Sequence, residues 1–159
     1  MTRSLPDLCD EHGGLVQVAE PLFRDFGGTR AFHGPITTIQ CHEDNALIRS
    51  TFETPGEGRV LVVDGGGSLS RALVGDQIGS LLLKNGWAGV VVYGAVRDVE
   101  VLATMPVAVR ALGVCPMPPL KQGKGERNLP VRFAGVTFTP GHWLYADENG
   151  LLVSPTPLS

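Results

Sequence analysis

Gly94-Ala95-Val96-Arg97-Asp98 closes the apolar run Ala88-Gly89-Val90-Val91-Val92-Tyr93, and it places a cation and a carboxylate where a buried strand is expected to end. Twenty residues separate Arg97 from Asp76, which lies in Gly75-Asp76-Gln77-Ile78 at the predicted start of a helix. The first N–H groups of a helix have no acceptor within the helix, and the helix dipole favours an anion beside them. A strand end that carries Arg-Asp and faces such a helix start can hold a metal ion and a small anion together.

Strands and helices are predicted to alternate on both sides of this segment. Runs rich in β-branched and apolar residues predict strands over 32–40, 59–64, 89–96 and 107–114. Helices are expected over 5–26 with a break at Gly13-Gly14, over 45–52 with Asp44 as N-cap, from Asp76 to about Lys84, and over 99–105.

The last third of the chain has a different pattern. Short apolar runs separated by Gly and Pro predict β-hairpins over 131–133, 136–138, 143–146 and 151–153. An α/β front half joined to an all-β tail favours a layered β/β/α arrangement over a doubly wound sheet. At 159 residues the chain is expected to form a single domain, 1–159.

Composition and charge exclude several classes of protein. The net charge is −3, and the only basic cluster (Lys121, Lys124 and Arg127) lies in a glycine-bearing loop that we interpret as solvated or phosphate-contacting. We therefore expect no direct nucleic-acid binding. No apolar run approaches the roughly 18–20 residues that cross a bilayer, so no membrane association is expected. Three cysteines outside any CxxC pattern, and an N-terminus without a signal-peptide core, predict a reduced, cytoplasmic protein.

The Arg97-Asp98 pair has a chemical and a structural interpretation. An Asp at the end of a strand can give a hard divalent cation one oxygen ligand, while water and substrate supply the rest. The neighbouring Arg can pair with a substrate carboxylate or with an enolate oxygen as charge develops. The structural alternative is an ion pair that bridges loops at the sheet edge, and Asp76 can equally be an ordinary N-cap.

Other polar features are weaker candidates. Gly65-Gly66-Gly67 matches neither common phosphate-binding pattern, and we interpret it as a tight turn that lines the site. Asp64, at the end of its own strand, either supports the site or caps the following turn. The four histidines have no metal-binding spacing, and we expect them to be structural or exposed.

The motif Asp76, twenty residues, Arg97-Asp98 resembles the D-x20-R-D motif of the RraA-like proteins and the class II 4-hydroxy-4-methyl-2-oxoglutarate aldolases. The resemblance extends over nearly the whole chain and includes 20–23, 26–28, 58–67, 93–97, 135–138 and 144–147. It implies a swivelling β/β/α fold and ring-shaped homotrimers, sometimes stacked as hexamers, with the site between subunits.

Two functions follow from this resemblance. The aldolase branch uses Mg²⁺ or Mn²⁺ to cleave its branched substrate into two pyruvates, and it also decarboxylates oxaloacetate. The regulator branch binds endoribonuclease E and inhibits RNA processing without needing catalysis. Regulators typically lose a carboxylate of the motif, whereas Asp76, Arg97 and Asp98 are all present here, which favours retained chemistry.

We therefore expect a metal-dependent lyase that acts on small 2-oxo acids. The resemblance implies Asp98 as the metal ligand and Arg97 as the group that stabilises a pyruvate enolate. The backbone of Gly75, Asp76, Gln77 and Ile78 would bind the substrate carboxylate, and Asp76 would position the water that protonates the enolate. The tail 154–159 carries no carboxylate that could serve as the aldolase base, so decarboxylation of oxaloacetate, which needs none, is the simpler expectation. The alternative is the non-catalytic ribonuclease regulator.

Overall fold

The β-branched runs form the centre of a ten-stranded mixed sheet in the computed structural model, which describes residues 3–159. The strands are β1 Gln17–Val18, β2 Arg24–Asp25, β3 Phe32–Gln40, β4 Val60–Asp64, β5 Ala72–Val74, β6 Gly89–Val96, β7 Val109–Val114, β8 Glu126–Arg127, β9 Val131–Phe133, β10 Val136–Phe138, β11 Trp143–Asp147 and β12 Gly150–Ser154. Their order in the large sheet is β1-β12-β11-β3-β4-β6-β7-β2, while β5 pairs with β6 and β8 pairs with β3. Strands β9 and β10 form a separate hairpin.

The large sheet has parallel strands at its centre and antiparallel strands at its sides. The central pairs β3–β4, β4–β6 and β6–β7 are parallel, as is β5–β6. The outer pairs that involve β1, β2, β8, β11 and β12 are antiparallel. Because β4, β5 and β6 run in the same direction, their carboxyl ends and the loops that follow them meet at one edge of the sheet.

Helices cover one face of the sheet and a hairpin covers the other. Helices α2 (Ala46–Phe52), α3 (Asp76–Lys84) and α4 (Val99–Leu102) follow α1 (Leu5–His12) in the chain. Leu61 and Val63 of β4 belong to the core shared with α2, α3 and α4, whereas Val60 and Val62 belong to the core shared with β9 and β10. This alternation is that of a strand buried on both faces, and it produces the predicted β/β/α layers.

Arg110 joins the β11–β12 hairpin to the far edge of the sheet. Its side chain is buried, forms an ion pair with Asp25 of β2, and donates to the carbonyls of Arg30, Asp147 and Gly150. The guanidinium has enough donors in a fixed fork to satisfy these acceptors together. The arginine therefore fixes the hairpin relative to β7 without leaving a buried charge unpaired.

Most predicted elements are confirmed, with corrections at their ends. The predicted strands over 32–40, 59–64 and 89–96 are β3, β4 and β6, and the predicted hairpins are β9–β10 and β11–β12. No helix follows Gly14 before residue 27. That stretch instead supplies β1 and β2, because β12 and β7 offer their edges as backbone partners. Helix α4 ends three residues early, β7 begins two residues late, and β5 and β8 were not predicted.

Among the helices of residues 3–159, none has the length and apolar character needed to cross a membrane.

Candidate active site

Asp98 lies two residues beyond the end of β6, in a backbone conformation that is unusual for a residue with a side chain. Its φ of 57° and ψ of 37° are left-handed, a region in which Asp and Asn are the most tolerated non-glycine residues. Asp98 holds the N-cap position of α4, yet its carboxylate makes no capping bond to that helix. Its Oδ2 instead accepts the N–H of Asp76, at 3.1 Å, at the start of α3. The turn therefore directs the carboxylate to a different helix.

Gly75 makes this approach possible. It is the N-cap residue of α3, and a Cβ placed on it would lie 2.5 Å from Asp98 Oδ2 and 3.4 Å from Arg97 Cγ. The φ of Gly75 is −135°, which any residue can adopt, so the requirement for glycine comes from this contact alone. Asp76 is consequently the first helical residue and does not occupy the N-cap position that the structural alternative assigned to it.

Arg97 is held by its backbone and only loosely by its side chain. Its N–H donates to the Val74 carbonyl at 2.9 Å, and this bond joins the end of β6 to the end of β5. The guanidinium reaches the Pro116 carbonyl at a long 3.4 Å. No ion pair joins Arg97 to Asp98 within residues 3–159. The guanidinium therefore keeps most of its donors for a ligand.

The first turn of α3 leaves two backbone donors available. Gly79 N–H is the first to bond into the helix, to the Gly75 carbonyl, and Asp76 N–H is engaged by Asp98. Within the described residues, the N–H groups of Gln77 and Ile78 have no acceptor. The predicted anion site on the backbone of 75–78 therefore keeps these two donors, whereas the Asp76 N–H is already occupied.

One cleft of about 190 Å³ collects every predicted site residue. Gly75, Asp76, Gln77, Ile78, Arg97 and Asp98 all line it. The volume is below the ~300–1,000 Å³ typical of drug-sized ligand sites, so it fits a small molecule.

Three polar lining residues had not been assigned to the site: Asn45, Arg49 and Lys121. Arg49 belongs to no sequence motif, and the sequence indicates Lys121 only as part of a basic loop.

Asp44 organises the loop that carries Lys121. Its buried carboxylate accepts the N–H groups of Ala46 at 3.0 Å, Gln122 at 2.7 Å and Gly123 at 3.3 Å. Burial acts to raise the pKa of Asp44, but the backbone donors outweigh it and hold the pKa below the ordinary value. The predicted capping role of Asp44 is confirmed in part, since it bonds Ala46 while Asn45 occupies the N-cap position of α2.

A larger cavity of about 640 Å³ lies beside the cleft. Asp64 and Gly66 line it, and Asp64 Oδ1 accepts the Gly66 N–H, so Gly65-Gly66-Gly67 forms the predicted tight turn. That turn lines this cavity, whereas Asp98 and Arg97 line the smaller cleft. Cys41 also lines it, and burial raises the pKa of its thiol to about 12, so the thiol is a poor nucleophile at neutral pH.

The donor set at Asp98 fits a hard divalent cation. Within residues 3–159, no three His, Cys, Asp or Glu side chains form a metal-binding group. Asp98 uses Oδ2 for the Asp76 N–H, and among those residues its Oδ1 has no hydrogen-bond donor. Mg²⁺ commonly binds through one or two carboxylates and keeps several waters, so a single free carboxylate oxygen in a polar cleft suits it.

Comparison with known proteins gives three close matches. A protein of Xanthomonas campestris pv. campestris (strain 8004), described as "Putative 4-hydroxy-4-methyl-2-oxoglutarate aldolase", is 58% identical over 159 residues, which is 100% of this chain and 95% of that protein. The RNA-processing inhibitor RraA from Thermus thermophilis has a TM-score of 0.96 at 44% identity and covers 100% of this chain and 96% of its own. A structure described as S-adenosylmethionine: 2-dimethylmenaquinone methyltransferase from Geobacillus kaustophilus HTA426 also has a TM-score of 0.96, at 42% identity, over 98% and 97% of the two chains.

These relatives carry three different functional descriptions on one fold, so the fold alone does not select an activity. A family model described as RraA-like: Aldolase/RraA matches residues 5–153. With almost the whole chain matched, the protein belongs to the RraA-like family.

Proposed function

We propose that this protein is a divalent-metal-dependent lyase of small 2-oxo acids, a 4-hydroxy-4-methyl-2-oxoglutarate aldolase that also decarboxylates oxaloacetate. The observation that carries the proposal is the convergence of Asp98, Arg97 and the open first turn of α3 on one small cleft. The Xanthomonas relative, 58% identical over the full chain, carries the aldolase name.

Each group has a distinct task in the proposed reaction. The N–H groups of Gln77 and Ile78 bind the carboxylate next to the 2-oxo group, where the dipole of α3 favours negative charge. Asp98 would hold Mg²⁺ or Mn²⁺, which when bound would supply Lewis-acid stabilisation of charge on the 2-oxo oxygen. Arg97 donates to the same oxygen as it gains charge.

Decarboxylation of oxaloacetate needs no catalytic base, because loss of CO₂ generates the enolate directly. The bond between C3 and the distal carboxylate breaks, CO₂ leaves, and the electron pair enters the pyruvate enolate that Arg97 stabilises. Water positioned by Asp76 then gives a proton to C3. Removing one such stabilising donor typically costs about 10²–10³-fold in kcat, and we expect a loss of that order for Arg97→Ala.

The test is pyruvate release from oxaloacetate and from the branched hydroxy acid, with Mg²⁺ or with EDTA. Asp98→Asn keeps an oxygen that can accept the Asp76 N–H but removes the charge, so metal-dependent turnover is expected to fall at least about 10²-fold. Asp10→Asn, the same change at an exposed position of α1, is the matched control. Undiminished turnover in Asp98→Asn would contradict the assignment.

A second function has its own support. The full-length match to the RNA-processing inhibitor RraA at a TM-score of 0.96 favours a binding protein that masks an endoribonuclease E. A pull-down with that enzyme and an RNA-cleavage inhibition assay test it. Absence of binding at micromolar concentration, together with measurable pyruvate release, would exclude the regulator and retain the lyase.

We also propose a cytoplasmic homotrimer, with trimers able to pair as hexamers. Cys9, Cys41 and Cys115 form no disulfide, which suits a reducing compartment. Exposed Leu69, Val114 and Met117 support self-association, since these apolar side chains gain from burial against a second copy.

A further inference from the structure

Two chain segments, 43–45 and 119–124, form a wall between the cleft and the larger cavity beside it. Residues of both segments line the larger cavity, namely Asp44, Leu120, Gln122 and Lys124. Their neighbours in the chain line the cleft, namely Asn45, Pro119 and Lys121. The separation of the two spaces therefore depends on how firmly the two segments are joined.

The second segment is fixed by its backbone on both sides but not in its middle. Leu120 donates its N–H to the Glu43 carbonyl at 2.8 Å, and its carbonyl accepts the Asn45 N–H at 3.0 Å. Farther along the chain, β8 pairs with β3. Between these two anchors, no backbone carbonyl of the described chain accepts an N–H of 121–124.

The carboxylate of Asp44 holds the middle of the segment instead. Its Oδ2 accepts the Gln122 N–H at 2.7 Å, and its Oδ1 accepts the Gly123 N–H at 3.3 Å. Oδ1 also accepts the Ala46 N–H at 3.0 Å, at the start of α2. Because Asp44 is buried and lines the larger cavity, it acts on the cleft only through the segments that it joins.

We infer that Asp44 is a positioning residue that keeps this wall closed and thereby restricts the cleft to small 2-oxo acids. This inference rests on the proposed function, which places the 2-oxo acid in the cleft. With the wall closed, the cleft has a volume of about 190 Å³. If 121–124 moves away, the cleft opens into the cavity of about 640 Å³, where Cys41 and Leu120 offer apolar contacts to a bulky side chain. An open wall also admits water, which weakens the electrostatic stabilisation of an enolate.

The experiment measures the binding of pyruvate and of indole-3-pyruvate to the intact protein in Mg²⁺ by calorimetry. The wild type is expected to bind indole-3-pyruvate at least about tenfold more weakly than pyruvate, because the two fused rings do not fit the closed cleft. In Asp44→Asn, one acceptor oxygen becomes an NH₂ group that cannot receive a backbone N–H. We expect this variant to reduce the difference to within about twofold, through stronger binding of indole-3-pyruvate.

Gly123→Ala opens the same wall without removing the buried carboxylate. The φ of Gly123 is 80°, a left-handed backbone in which alanine is strained, and the residue is exposed, so the core is left intact. Gly141→Ala is the matched control, since Gly141 has a φ of 85° and a Cβ on either glycine meets nothing within 4 Å. Gly141 lies between β10 and β11, outside the wall, and its variant is expected to keep the wild-type preference. All variants are compared at a temperature at which circular dichroism shows them folded.

Hydrogen exchange reports on the wall without any ligand. The amides of Gln122 and Gly123 are bonded to a buried carboxylate, so they are expected to exchange slowly in the wild type. In Asp44→Asn and in Gly123→Ala they should exchange at least about tenfold faster, because the segment opens more often. Gly141→Ala should leave their exchange unchanged.

The possible results separate the wall from the lyase. Equal affinity of the wild type for the two acids, an unchanged preference in both wall variants, or an equal loss of both acids in Asp44→Asn would overturn the inference. Fast exchange of Gln122 and Gly123 in the wild type, or an effect of Gly141→Ala as large as that of Gly123→Ala, would also overturn it. A wild type that prefers pyruvate over indole-3-pyruvate, but releases no pyruvate from oxaloacetate or the branched hydroxy acid, retains the wall and rejects the lyase.

Discussion

A single carboxylate connects the end of one strand to the start of a helix that is distant in sequence. Asp98 occupies the N-cap position of α4, where an Asp ordinarily bonds the N–H groups of its own helix, but it accepts the Asp76 N–H of α3. The left-handed backbone at Asp98 is the kind of local strain that collects at functional sites. The backbone conformation of Asp98 therefore supports the proposed role of its carboxylate as a metal ligand.

Gly75 gives the first residue-scale prediction. In Gly75→Ala the new Cβ would lie 2.5 Å from Asp98 Oδ2, so this carboxylate oxygen must shift from its position against the Asp76 N–H. We expect pyruvate release to fall at least about 10²-fold, because a displaced Asp98 carboxylate disrupts the alignment of the reacting groups. Gly14→Ala is the control, since a Cβ there meets nothing within 4 Å. Wild-type turnover in Gly75→Ala would show that the position of Asp98 is immaterial.

Asp44 gives a prediction about pH and stability. Its pKa is lower in the folded protein than in the unfolded chain, so its contribution to stability is complete above the unfolded pKa of about 3.9 and declines as pH falls through the folded value. Asp44→Asn is expected to lose about 1–3 kcal/mol at pH 7, the cost of weakening charge-assisted bonds to backbone donors.

Urea unfolding measured from pH 7 down to pH 3 checks this expectation. The variant should show a flatter decline than the wild type below about pH 4, because the group that titrates is gone. The exposed Asp10→Asn variant should follow the wild type throughout. Parallel curves for Asp44→Asn and the wild type below pH 4 would remove Asp44 as the source of the decline.

At the scale of elements, the periodic and apolar segments could be predicted from the sequence. The short strands that form only by pairing with the edge of another strand could not. The continuous apolar run of β4, Val60–Asp64, is enough to predict a buried strand. The spacing of Ile78 and Leu82 likewise predicts the buried face of α3. Strands β1 and β2 have two residues each and exist because β12 and β7 offer them backbone partners, which no local pattern encodes. The same reason explains why β5 was missed.

The candidate site also contains residues that have a sequence signal and residues that have none. Asp76, Arg97 and Asp98 could be proposed from the sequence because the end of a strand and the start of a helix have sequence signals, and all three line one cleft. Arg49 and Lys121 reach that cleft only through the folding of α2 and the loop fixed by Asp44. A cation on a short helix and another in a glycine-bearing loop look like ordinary solvated charges in the sequence.

For the whole molecule, self-association is the property that the exposed surface favours. Leu69, Val114 and Met117 are 53%, 48% and 50% exposed. Leu69 lies over Gly113, and the Met117 carbonyl accepts the N–H of Ala72, so this apolar surface borders the strand that leads into the cleft. In the proposed oligomer, a neighbouring subunit bound there would lie beside the candidate active site.

Light scattering is expected to give three or six times the mass of the 16.9 kDa chain. Met117→Glu should release smaller species, because a charge buried in an apolar interface is costly. Leu83→Glu, which adds the same charge to the exposed side of α3, is the control. A wild type that remains a monomer at micromolar concentration would reject the trimer.

The left-handed turn at the end of β6 also bears on how this family could diversify. Asn tolerates that conformation as well as Asp does, and its amide oxygen can still receive the Asp76 N–H. Replacement of one carboxylate oxygen by nitrogen would then remove the proposed metal chemistry while sparing the scaffold and its outer surface. An ancestral catalyst could become a pure adaptor by that route, with little loss of stability.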